Sequence, residues 1–152
     1  MKRSILLLAL SLILTALGAQ ELQLQKGKAY KDGKLFTGVE VTFYIDTEIK
    51  ETETNYTKGL KDGTEFFFHQ NGEKKAERIW KKGSKEGVWM NWDEEGNKTA
   101  EASYSKNKKN GDWFIWSSRG VKLFEMHYRK GKKIGKWLQW NEAGELTMEK
   151  DF

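Results

Sequence analysis

The chain of 152 residues contains no cysteine, no proline and only two histidines. Without cysteine there is no disulfide framework, no thiol nucleophile, no thiolate metal site and no lipid-bearing cysteine. His69 and His127 stand without another ligand at metal spacing, so neither a metal nor a cofactor is expected. Phosphate-cradling loops are missing too: of the 15 glycines all but Gly18 lie among strand-like and turn-like segments, and none opens a helix. Ser103, Ser117 and Ser118 have no histidine and acid beside them in sequence. Only one long apolar run exists, and it stands at the start. The chain is 38 % hydrophobic, 32 % charged and 13 % aromatic overall, too aromatic for a disordered chain and too polar for repeated membrane crossing.

The apolar run has the order of a signal peptide. Lys2 and Arg3 precede Ile5 to Leu17, and the small residues Gly18 and Ala19 follow. About thirteen apolar-dominated residues are short for a spanning helix, which needs roughly 20. Residues 1–19 are therefore read as a leader cleaved after Gly18 or Ala19, the other reading being an uncleaved anchor. Either way the domain is expected to be exported, whether periplasmic, on the cell surface or secreted. Without Lys2 and Arg3, 25 basic residues face 22 acidic ones and the formal charge falls from +5 to +3, so nucleic acid is not an expected partner.

What the chain has in abundance is repetition. Gly63, Gly87, Gly111 and Gly135 are 24 residues apart, as are Gly72, Gly96, Gly120 and Gly144. Tyr56, Trp80, Tyr104, Tyr128 and Phe152 form a third series at that period, and Glu53, Glu77, Glu101, Glu125 and Glu149 a fourth. Gly38 starts an earlier copy with one extra residue, and Lys28 to Tyr30 reads as the end of a copy before that. Within a unit the residues after the first glycine alternate, as in Met90 and Trp92 or Phe114 and Trp116, which is strand periodicity. A turn with the second glycine follows, then a second strand such as residues 98–104. Linkers of about six residues join the units, with Asn107 in place of a glycine. The prediction is an all-β, elongated, single-layer antiparallel sheet of tandem 24-residue hairpins after an N-terminal signal helix: a leader over 1–19, a short linker over 20–27 and about five repeats over 28–152. At about 4.8 Å per strand such a ribbon is roughly 45 to 50 Å long.

The fragments Trp80-Lys81-Lys82-Gly83-Ser84-Lys85-Glu86-Gly87-Val88-Trp89 and Tyr128-Arg129-Lys130-Gly131-Lys132-Lys133-Ile134-Gly135-Lys136-Trp137 resemble the variant MORN repeat. Bacterial chains similar to this one form the YwqK family, which carries an antitoxin label. The resemblance implies an elongated β-ribbon that holds partners and performs no chemistry, with an immunity-like role against an exported toxin as one form of it. The first copy departs from the pattern: Asp46-Thr47-Glu48 lacks the turn glycine, and Glu40 and Glu65 stand where later units have tryptophan, as in a degenerate cap.

No catalytic residue is assigned. The recurring glutamates are the tempting candidates, but a catalytic group is needed once, whereas a carboxylate pairing with a neighbouring lysine is needed in every unit. Binding candidates come from the two faces and the two edges. Phe66, Phe68, Met90, Trp92, Phe114, Trp116, Leu138 and Trp140 share the face expected to be packed. Phe67, Trp89, Trp113, Ile115 and Trp137 project to the other and form the expected binding face. The linkers hold Lys58 and Lys61, then Lys81, Lys82 and Lys85, then Lys106, Lys108 and Lys109, then Arg129, Lys130, Lys132 and Lys133, against Asp62 and Glu86 alone. That predicts a basic rim opposed by acidic turns containing Glu73, Asp93, Glu94, Glu95, Glu142 and Glu145. The expected partner is a protein. The alternative is an anionic lipid or glycan of the cell envelope met by the basic rim and exposed aromatics.

Overall fold

The computed structural model describes residues 22–152, so the leader read over residues 1–19 lies outside the described residues. Thirteen strands follow one another: β1 (Gln23–Gln25), β2 (Lys28–Lys31), β3 (Lys34–Leu35), β4 (Gly38–Phe43), β5 (Lys50–Thr57), β6 (Leu60–Phe68), β7 (Lys74–Lys81), β8 (Ser84–Trp92), β9 (Lys98–Ser105), β10 (Lys108–Trp116), β11 (Lys122–Arg129), β12 (Lys132–Trp140) and β13 (Leu146–Asp151). Strands β4 to β13 make one ten-stranded antiparallel sheet in strict chain order, and β1 to β3 a small sheet of their own. The repeat thus builds a single layer of successive hairpins, and the described residues contain no helix. Residues 23–25, expected in a linker, form β1 because Lys26 and Gly27 both take positive φ and turn the chain straight into β2.

The joints between units are tighter than the sequence suggests. Instead of six-residue linkers there are two-residue turns: Lys58-Gly59, Lys82-Gly83, Lys106-Asn107 and Lys130-Gly131, with φ values of 50 and 77, 48 and 76, 47 and 66, and 50 and 85°. Two consecutive positive φ values define the type I′ turn, whose twist matches that of the flanking strands. The other hairpin ends are wider, closed for example by Asp93 N–H donating to Asn97 O at 3.0 Å and Gly96 N–H to Asp93 O at 3.1 Å.

The in-strand glycines have a different task. From Ile79↔Glu86 to Glu77↔Met90, β8 advances four residues while β7 advances two. Gly87, at φ 63°, sits in the resulting bulge, and a Cβ there would lie 3.1 Å from Ile79 Cδ1. The residue before each such glycine reaches into the next unit. Asp62, Glu86 and Asn110 accept hydrogen bonds from the backbone N–H groups of Lys82, Lys106 and Lys130 at 3.2, 3.0 and 3.1 Å. The last described unit has the apolar Ile134 at this place.

Among the described residues no large side chain is fully buried. Within the ten-stranded sheet the most buried residues are Tyr56, Ala76, Tyr128 and Trp137, with the polar Thr54 and Glu65. The small sheet docks on the Lys58-Gly59 turn through Ala29 N–H to Gly59 O (2.8 Å) and Gly59 N–H to Phe36 O (2.7 Å), and Phe36 meets Tyr56 edge-on at 5.9 Å.

Candidate functional site

The five face candidates do share one side of the sheet, but three of them are bound up in packing. Trp80, Trp89, Tyr104, Trp113, Tyr128, Trp137 and Phe152 form an unbroken ladder of rings, with centroids 4.7 to 5.4 Å apart. Each repeat tryptophan also donates its indole N–H across the bulge: Trp89 to Ile79 O at 3.0 Å, Trp113 to Ser103 O at 3.1 Å and Trp137 to His127 O at 3.2 Å. The bulge leaves a strand carbonyl without its ladder partner, and the indole satisfies it. The packed face is therefore the tryptophan ladder and not the Trp92, Trp116 and Trp140 side, a reversal of the expectation. Phe67 and Ile115 are the face candidates outside the ladder, and Ile115 is 37 % exposed.

The opposite face carries one continuous cross-strand row: Val41, Glu53, Phe66, Glu77, Met90, Glu101, Phe114, Glu125, Leu138 and Glu149 stand in register, apolar and carboxylate by turns. Four of the glutamates pair with the lysine three residues earlier, at 2.8 to 3.0 Å: Lys50, Lys74, Lys98 and Lys122. Leu146 takes the lysine's place in the last unit, and Glu149 turns to Lys136 instead. Lys74, Lys98 and Lys122 also cover rings, Lys74 lying 4.8 Å from the Phe66 centroid and 5.3 Å from that of Trp92. Each carboxylate is thus held once per unit by a local cation.

The basic rim divides into two sets. Lys85, Lys109 and Lys133 fold over the ladder, their ammonium groups 4.7, 3.9 and 4.3 Å from the centroids of Trp89, Trp113 and Trp137. Lys81, Lys82, Lys106, Lys108, Arg129, Lys130 and Lys132 are exposed at or beside the turns. Asp62 and Glu86, the two acids among these bases, are the turn acceptors described above. Bonds from Lys106 N–H and the Ser105 hydroxyl hold the Glu86 carboxyl below its ordinary range. At the other edge Arg119 reaches Glu142 at 2.8 Å.

One group of residues was not singled out from sequence. On the ladder face, beyond the tryptophans, lies a shallow pocket of about 350 Å³. Its cations are Lys75 and Arg78, Ala76 and Thr99 keep it open, and Phe67, His69, Asn91 and Trp92 complete its wall. A second hollow of about 210 Å³ adjoins it and shares Arg78 and Asn91. The Arg78 guanidinium lies 5.0 Å from the Trp89 centroid and donates from Nη1 to Glu77 O (3.0 Å) and Met90 O (2.7 Å), and from Nη2 to Asn91 Oδ1. Burial lowers its pKa from the ordinary arginine value, yet it stays charged at neutral pH. Its register partner Glu65 occupies a tryptophan position of the repeat and is 4 % exposed. That carboxylate turns away to Trp80 Nε1 at 2.7 Å, the Thr54 hydroxyl at 3.2 Å and the Lys61 ammonium. The positions 24 residues either side of Arg78 are Thr54 and Ala102, and those around Lys75 are Glu51 and Thr99. Departure from the repeat was the available sequence signal. Among the described residues no cluster of three His, Cys, Asp or Glu side chains could hold a metal.

In sequence, no family model and no curated protein matches the chain.

Proposed function

We propose that the protein is an exported, non-enzymatic repeat scaffold that binds a protein partner through the ladder face of its sheet, in the manner that the resemblance to variant MORN repeats implies, an immunity-like role included. The observation that carries this reading is a ten-stranded sheet in a single layer, on which no second layer of described residues lies. Rings locked edge to edge make a broad surface that loses little side-chain freedom when it is covered. Phe67 and Ile115 offer apolar contact area beside the cations of the pocket and the lysines that cover the ladder, the mixture of apolar and charged groups that a protein interface uses. Export rests on the leader order of residues 1–19.

The test is capture from an envelope extract by the chain as its host processes it, at low and at high salt, with Ile115→Asp as the face variant. A single protein recovered in near-equal amount at both salt concentrations, and lost with Ile115→Asp, supports the reading. The exposed lysines of the type I′ turns favour a second one, an envelope module for anionic lipid or glycan. Recovery of lipid or polymer only at low salt would establish that one instead. A mature mass that still includes residues 1–19 would remove cleavage from the reading.

A further inference from the structure

In a repeat protein the scaffold is what recurs, so residues that break the period together, at one place, are the ones the scaffold does not need. On the ladder face the departures concentrate between β6 and β9. Arg78 stands in a column with Thr54, Ala102, Met126 and Lys150, Ala76 and Ala100 in one with Thr52, Phe124 and Met148, and Asn91 in one with Phe67, Ile115 and Gln139. Small residues open the hollow, and two cations border it.

We infer that this pocket is a carboxylate-binding site, in which the Arg78 guanidinium is the anchoring group and Lys75 the outer charge. The donor count carries the argument. A guanidinium has five N–H groups. Three are used, on Glu77 O, Met90 O and Asn91 Oδ1, which fix its plane against the Trp89 ring. Nε–H and the second Nη2–H have no acceptor among the described residues. Nε and Nη2 flank one edge of the guanidinium, the edge that can meet a carboxylate with two parallel bonds. No carboxylate lines the pocket, and Glu65, the nearest by register, is engaged elsewhere. Because the guanidinium is half-buried and already oriented, a carboxylate meets it without the entropy cost that an exposed lysine incurs. The apolar contacts offered by Phe67 and Ala76 call for a ligand whose carboxylate is attached to an apolar or aromatic body. On the protein-partner reading, on which the source of the ligand rests, that is an acidic side chain flanked by aromatic or aliphatic residues.

The experiment is an NMR titration of the isotope-labelled chain with phenylacetate, phenylacetamide and the blocked peptide acetyl-Phe-Glu-Phe-amide. Phenylacetate is expected to shift the Arg78 Nε–H and the backbone amides of Ala76 and Asn91 saturably, and phenylacetamide to bind about tenfold more weakly or not at all. Two variants borrow residues that the repeat already carries in the same columns: Arg78→Met, from Met126, removes the anchor, and Ala76→Phe, from Phe124, fills the pocket with Arg78 left in place. Both should keep the far-ultraviolet circular dichroism of the parent and lose phenylacetate binding, while Lys75→Thr weakens it several-fold. Equal binding of acid and amide, shifts confined to the turn lysines, or undiminished binding by Arg78→Met would overturn the site. The peptide separates the sources: binding at least as tight as that of phenylacetate supports a protein side chain, and binding of phenylacetate alone refutes that source. If the envelope extract yields no protein while phenylacetate still binds at Arg78, the partner reading fails and the carboxylate site stands.

Discussion

Replacing Trp113 by alanine should destabilise the sheet more than replacing Trp116, although both are large rings on the same strand. Trp113 has ring neighbours on both sides, Tyr104 at 5.3 Å and Tyr128 at 5.4 Å, and its indole N–H closes on Ser103 O. Each ring pair is worth roughly 0.5 to 1.5 kcal/mol beyond area, and the hydrogen bond about 1. Because the indole's apolar surface no longer shields its neighbours either, Trp113→Ala should cost about 3 to 4 kcal/mol, within the range for a buried tryptophan. Trp116 has one ring neighbour, Phe114 at 5.6 Å, and Lys98 above it at 5.3 Å, with no indole bond among the described residues. Its truncation should cost about 2 kcal/mol. With a urea slope of roughly 1 to 3 kcal/mol per molar, the two midpoints should differ by about 0.3 to 2 M in equilibrium unfolding followed by circular dichroism. Equal midpoints, or a lower one for Trp116→Ala, would refute the assignment of the packed face to the ladder.

Two further outcomes follow from buried or crowded groups. Tyr56 has its pKa raised from 10.0 to about 12, first by burial and then by the charges of Glu40 and Glu65. The folded state holds the phenol proton through a range in which the unfolded chain has released it, so this contribution is whole below about pH 10 and is lost as pH climbs to about 12. Wild type should lose about 2 kcal/mol more than Tyr56→Phe over that window, and identical pH profiles in urea unfolding would exclude the effect. Gly59→Ala places a methyl group 2.7 Å from Leu35 Cδ2 and 2.9 Å from Ala29 O, whereas Gly131→Ala meets nothing nearer than Lys108 Cβ at 3.9 Å. Faster amide exchange over residues 23–36 is expected for Gly59→Ala alone, with β4 to β13 protected as before; equal behaviour of the two variants would contradict the docking of the small sheet on that turn.

The period, the strands and the hairpin turns with a second glycine were legible because each is a local signal. Glycine spacing and alternation need no knowledge of neighbours. The bulge was not legible: Gly87 and Gly111 read as the glycines that open a unit after a linker of about six residues, when they sit inside strands and the turn is only Lys82-Gly83 or Lys106-Asn107. From this one misreading came the reversed faces, since alternation correctly separated Trp113 from Trp116 but gave no sign that the bulge would leave a carbonyl for the indole to cover. The rim lysines were legible as charge, yet Lys85, Lys109 and Lys133 lie over rings that only the register brings beneath them. Arg78 and Lys75 were hidden for the opposite reason, because a period is recognised by what its copies share and these two residues belong to one copy alone.

The acceptors that precede the bulge glycines tie each turn to the unit before it. Lys82, Lys106 and Lys130 have their N–H groups held by Asp62, Glu86 and Asn110, and Gly83, Asn107 and Gly131 donate to the carbonyls of Lys61, Lys85 and Lys109. A turn completed in one hairpin thus meets a ready acceptor in the one before, and at one joint the bond is returned, Lys85 N–H donating to Asn107 Oδ1 at 2.8 Å. Each joint is thereby shared by two units, so that neighbouring hairpins are coupled through side chains as well as through the ladder, and a break at one joint should loosen the hairpins on both of its sides.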